Sequence, residues 1–184
     1  MSRALESFNL AILDSSYLLE LNKNDPSSEH SETLKRSSLV MALTAWESYV
    51  EDRLGEAVTE KVAILKGSFI ETYINQNLAK EINMLHNPNS HRTYELFKTY
   101  LDIDIRDAWK FDNFISQETA KHLDSLIRKR GEAVHRIKIR NPNQNLPHLV
   151  TSDEAKKAIR FITNLVKATD RYLEQQLCPH SNQQ

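Results

Sequence analysis

The stretch RKRGEAVHRIKIR, residues 128–140, sets six basic side chains and one histidine within thirteen residues of a 184-residue chain whose formal charge is only −1. Two spacings in it could carry chemistry. Arg130 and His135 form an R-x4-H pair, a permanent cation near a group that titrates close to neutrality. Glu132 and His135 form an E-x-x-H pair, the i, i+3 spacing of helix-borne di-iron carboxylate centres, which need two such pairs. None of the other six histidines follows an acid by three residues. Cys178 and His180 lack companion ligands, and His86 and His91 bracket a loop, so no metal site is expected. A G-x-S-x-G elbow is missing, and three scattered glycines cannot build a phosphate cradle, so a P-loop is excluded and no cofactor is expected.

The elements that must position this stretch read as helices. Apolar residues recur at spacings of three and four over residues 3–22, with Ala4, Phe8, Ala11, Ile12, Ser15, Leu18 and Leu19 on one face. A long second helix is expected from Asp25 and Pro26 to about residue 66, burying Leu39, Leu43, Trp46, Val50, Leu54, Ala57 and Val58, with Gly67 and Ser68 as its stop. Residues 69–85 and 92–101 read as a third and fourth helix, separated by HNPNSH. Ile103, Ile105 and Trp109 read as a short strand-like or 3₁₀ piece. A fifth helix opens at Ser116 and carries Ala120, Leu123, Ile127, Arg130, Val134 and Ile137 in one stripe. Arg130 thus falls in line with apolar residues, and a buried guanidinium requires an anion, whether carboxylate, phosphate or substrate. Thr151 and Glu154 have the capping-box spacing that opens a sixth helix.

Within one helix, five residues rotate about 140° and rise about 7.5 Å, so Arg130 and His135 of a single copy do not converge on one small target. A second copy would close that gap. The chain length suits one domain over residues 1–177 with a flexible tail at 178–184. Few glycines and prolines favour an all-α class. The near-neutral balance excludes a protein that coats nucleic acid by gross charge, leaving a local basic site. A single cysteine, a charged start and the lack of any apolar run of membrane-spanning length point to a cytoplasmic protein with no membrane partner.

LVMALTAWESYVEDRLGEA (residues 39–57), with its Trp-Glu-x-Tyr core, precedes RGEAVH (residues 130–135) by about seventy residues. Together they resemble the HEPN domain family, more narrowly the bacterial subgroup associated with RNase toxins and phage-defence loci. The resemblance spans roughly residues 3–177, with its specificity in the R-x4-H motif and the Trp46 segment. It implies a helical bundle of about five to six helices that forms a homodimer, placing both copies of the motif in one composite cleft. It also implies a metal-independent endoribonuclease of a toxin–antitoxin or phage-defence system, with RNA as partner and an antitoxin or regulatory protein as a further one. Other members have lost catalysis and serve as binding modules.

Carried onto this sequence, the motif positions are Arg130 and His135, the catalytic pair that the resemblance implies. Gly131 stands where active members often carry a polar residue, which weighs against catalysis. Ile137 replaces a tyrosine that is adenylylated in some toxin pairs, which argues against that control here. Metal-free RNA cleavage needs removal of the 2′-OH proton, charge stabilisation at phosphorus and protonation of the leaving 5′ oxygen. Two copies of His135 can divide the proton steps, while Arg130 clamps the phosphate. The expected products are a 2′,3′-cyclic phosphate and a 5′-OH end.

Arg128, Lys129, Arg136, Lys138 and Arg140 are the candidates for holding flanking phosphates, against the alternative of a solvated helix face. Glu47 is the candidate for orienting Arg130 or His135, against pairing with Arg53 or Lys35 on its own helix. Trp46 and Tyr49 belong to the apolar stripe rather than to a base-stacking platform. Two further readings stand beside the nuclease: a non-catalytic module that binds RNA, a nucleotide or a protein, and a structural bundle in which Arg130 pairs with a buried acid.

Overall fold

The computed structural model describes residues 1–24, 26, 30–111, 114–135 and 149–177, with the backbone alone at His135. Six α-helices are present among them: α1 Arg3–Asn24, α2 Ser31–Val62, α3 Phe69–Asn83, α4 Ser90–Leu101, α5 Ser116–His135 and α6 Ser152–Leu177. Two 3₁₀ turns, Ala63–Leu65 and Ile105–Ala108, complete the order. The all-α expectation holds, and of the two forms open to the segment around Ile105 it takes the 3₁₀ one.

Local chemistry explains most of the boundaries. Gly67 adopts φ +81° between α2 and α3, a conformation with no Cβ penalty for glycine. Ser68 then caps α3, accepting from the Glu71 N–H at 3.1 Å, while the Glu71 carboxylate accepts from the Gly67 N–H at 2.6 Å. Asn89 caps α4 through the Arg92 N–H at 2.8 Å. At α6 the capping box closes in both directions, with Glu154 N–H donating to Thr151 Oγ1 at 3.2 Å and Thr151 N–H donating to Glu154 Oε2 at 2.8 Å.

One start differs from expectation. α2 begins at Ser31, five residues after Pro26, and Asp25 lies outside the described residues. The Ser31 hydroxyl donates to Asn22 Oδ1 at 2.6 Å, and Asn22 in turn donates to Ser152 Oγ at 3.1 Å. A long-range knot joining α1, α2 and α6 therefore sets the boundary.

α2 is the central element, in contact with α1, α3, α4, α5 and α6. Its inner side buries Leu39, Leu43, Trp46, Tyr49, Val50 and Leu54 completely or nearly so. Trp46 and Tyr49 are core residues, as their stripe predicts. The Trp46 indole N–H donates to Pro88 O at 2.9 Å, which pins the loop before α4 against α2. From the other side Trp109, fully buried, donates to Thr169 Oγ1 of α6 at 3.1 Å. α5 is clamped at its start by the Thr119 hydroxyl, which donates to Trp109 O at 2.9 Å. Among the described residues no helix is long and apolar enough to cross a membrane.

Candidate functional site

α5 carries the motif, and its inward stripe is Thr119, Leu123, Leu126, Arg130 and Ala133, at steps of 4, 3, 4 and 3 residues. Four of the five are buried; Arg130 is the polar member, its side chain 16% exposed. Val134, expected in the stripe, is instead 49% exposed. Both 133 and 134 satisfy helical spacing from 130, and the packing of α5 on α2 selects Ala133.

The guanidinium of Arg130 meets α2. Its Nη1 donates to Glu47 Oε2 at 3.1 Å and its Nη2 to Thr44 Oγ1 at 3.2 Å. Thr44 and Glu47 lie three residues apart on α2 and so share a face. The other carboxylate oxygen of Glu47 accepts from the Asn87 backbone N–H at 2.9 Å. Asn87 sits at φ +52°, a conformation asparagine tolerates better than most residues. The same loop is held from α5, because the Asp124 carboxylate accepts from the Ser90 N–H at 2.8 Å and the Ser90 hydroxyl at 2.9 Å. Glu47 is thereby fixed on both oxygens before any ligand arrives.

A second carboxylate stands close by. Burial, followed by the nearness of Glu47 and Asp52, pushes the Glu51 carboxyl above its usual range, while His86 opposes the shift. Glu51 thus adds a further carboxylate beside Glu47 on α2, while Arg130 itself meets Glu47 and Thr44.

The remaining candidates are distributed unequally. Arg128 is exposed on α5. Lys129 reaches to α6, where its Nζ meets Glu154 Oε1 at 2.5 Å. That contact, with the Thr151 hydrogen bonds, lowers the Glu154 carboxyl to about 2. His135 ends α5, so its backbone follows Arg130 by five helical residues. Arg136, Lys138 and Arg140 lie outside the described residues. The structure thus brings Arg130 to Glu47 and gives Lys129 an intramolecular carboxylate.

The alternative partners proposed for Glu47 are engaged or placed elsewhere. Arg53 donates from Nε to Asp170 Oδ1 at 3.0 Å, and Lys35 is buried near the start of α2. Sequence reading missed Thr44 and Asn87. Thr44 was findable from its i, i+3 relation to Glu47; Asn87 was not, because its contribution is a backbone N–H. Among the described residues no three His, Cys, Asp or Glu side chains stand close enough to share a metal ion. A cavity of about 780 Å³ lies along another part of α2, lined by Arg53, Glu56, Thr59 and Glu174, and does not include Arg130.

A helical bundle with a long central helix, and an arginine and histidine on one neighbouring helix, is the architecture of a HEPN domain. The family model described as RiboL-PSP-HEPN matches residues 10–175, and the chain belongs to this HEPN family. Comparison with curated proteins and with solved structures returns no match.

Proposed function

We propose that this HEPN protein is a metal-independent endoribonuclease, working as a cytoplasmic homodimer in a toxin–antitoxin or phage-defence system under an antitoxin or regulatory protein. The observation that carries the reading is Arg130, held by Glu47 and Thr44 on the helix that ends at His135, in a chain of this family. A guanidinium has five N–H donors. Among the described residues two of them serve α2, and the others would take a phosphate without dismantling the pair.

In the proposed reaction one copy of His135 takes the 2′-OH proton, and the 2′ oxygen attacks the adjacent phosphorus. The P–O5′ bond breaks, and the leaving oxygen takes a proton from the second copy. The ends are a 2′,3′-cyclic phosphate and a 5′-OH, and Arg130 stabilises the charge that builds on the non-bridging oxygens. Arg128, Arg136, Lys138 and Arg140 hold flanking phosphates; Lys129 joins them only by releasing Glu154.

One observation favours the second reading, a non-catalytic module that binds RNA, a nucleotide or a protein. The Glu47 carboxylate already offsets the burial of Arg130, so its position does not by itself require a phosphate. Incubation of RNA with the purified protein in EDTA, beside His135→Ala, separates the two. Cutting that resists EDTA, yields cyclic-phosphate ends and vanishes in the variant supports the nuclease. Binding without cutting supports the module, and a metal requirement contradicts the proposed chemistry. Light scattering should give twice the chain mass.

A further inference from the structure

The turn of α5 that follows Arg130 is one that its own sequence weakens. Gly131 lies in it, and a Cβ built there would meet nothing within 4 Å. Close packing therefore does not demand glycine, whose effect is to give this turn more backbone freedom than any other residue would. Ala133 follows Gly131 by two residues and lies on the inward stripe of α5.

The Ala133 carbonyl is met from the neighbouring helix. Arg36 of α2 donates from Nη1 to Ala133 O at 3.4 Å. The Arg36 Nε is buried and, among the described residues, has no hydrogen-bond partner. A donor shielded from solvent is not presented to RNA, and burying it unpaired is unfavourable. Its side chain accepts that penalty while touching α5 at Ala133. Ala133 follows Arg130 by three residues on the inward stripe, so Arg36 and Glu47 grip α5 one turn apart from the same neighbouring helix.

We infer that Arg36 is a positioning residue: it holds the turn of α5 at Ala133 against α2 and thereby fixes where His135 is presented relative to Arg130. Its catalytic consequence rests on the ribonuclease reading; the anchoring of the turn does not.

The test compares wild type with Arg36→Met, Arg36→Lys and the double variant Arg36→Met/Gly131→Ala, by amide hydrogen exchange and by RNA cleavage. Arg36→Met should speed exchange of the amides at 132–135 by about tenfold or more and leave those at 119–126 unchanged. Its kcat should fall by about tenfold with KM within about twofold, since misplacement of a reacting group acts on the chemical step. Arg36→Lys, which keeps a donor for the carbonyl, and the Gly131→Ala background, which stiffens the turn, should each restore part of both losses. Unchanged exchange at 132–135, exchange that rises equally along all of α5, or a loss confined to KM would each overturn the inference. If wild type cuts no RNA the ribonuclease reading fails, and the exchange data alone decide whether Arg36 holds the turn.

Discussion

Two arginine–carboxylate pairs share α2, and their surroundings differ. Arg53 and Asp170 meet at 3.0 Å with side chains 4% and 3% exposed, and the Tyr49 hydroxyl donates to the same Asp170 at 3.5 Å. The Ser2 hydroxyl also donates to Asp170. Burial, above all, pushes the Tyr49 phenol well above its usual range, so it stays a neutral donor. Arg130 and Glu47 meet at 3.1 Å with both side chains 16% exposed, and among the described residues their further hydrogen bonds are to a threonine hydroxyl and a loop N–H. The same chemistry thus serves two ends. The first pair is sealed and holds α2 to α6, whereas the second joins α2 to α5 and keeps part of both side chains exposed.

The sharpest way to break this contrast is at the sealed pair. Asp170→Ala leaves the Arg53 guanidinium buried without its anion and should cost about 3–5 kcal/mol. For a chain of this size, that lowers the melting temperature by about 10 °C. Scanning calorimetry checks it, and a shift as small as that of a surface mutant would show the two pairs to be equivalent.

At the open pair the effect should be smaller. Glu47→Gln keeps an acceptor but removes the charge, and should cost about 1–2 kcal/mol, read by denaturant unfolding. Arg128, an exposed cation on α5, extends the comparison to RNA. Arg128→Ala should weaken RNA binding uniformly across sequences and reduce the slope of log affinity against log salt by about one, measured by fluorescence anisotropy in a salt series.

The smallest effect belongs to a third, more exposed pair, Lys129 and Glu154, whose side chains are 30% and 48% exposed. The Glu154 carboxyl is lowered from 4.5 to about 2. A depressed carboxylate contributes stability that is fully present above its unfolded pKa and is lost as pH falls through the folded one. Its contribution should therefore disappear between about pH 4.5 and pH 2, and solvent screening limits it to a few tenths of a kcal/mol. Acid unfolding of Glu154→Gln should lack that increment.

Local signals made much of this architecture readable. Thr151 and Glu154 announced the start of α6, and Gly67 with Ser68 marked the break between α2 and α3. Their chemistry acts within four residues, and so it is written in the sequence. The start of α2 escaped because Pro26 is a local signal, whereas Ser31 is held by Asn22 across the α1–α2 junction. Arg130 in an apolar stripe revealed that an anion must face it, but Glu47 lies 83 residues away and competed on paper with Arg53 and Lys35. The choice between Ala133 and Val134 as the next inward residue was likewise made by α2 rather than by periodicity.

Arg130→Lys tests most directly whether the open pair is functional or only another tie between helices. Lysine keeps the charge and can reach Glu47, but it lacks the planar fork that would hold α2 and a phosphate together. RNA cleavage in EDTA and the melting temperature should be measured on the same preparation. We expect cleavage to fall by about 100-fold or more while the melting temperature stays within about 3 °C of wild type. Full cleavage by this variant, or a loss of activity that merely follows a loss of fold, would contradict the assignment of Arg130 to the reaction.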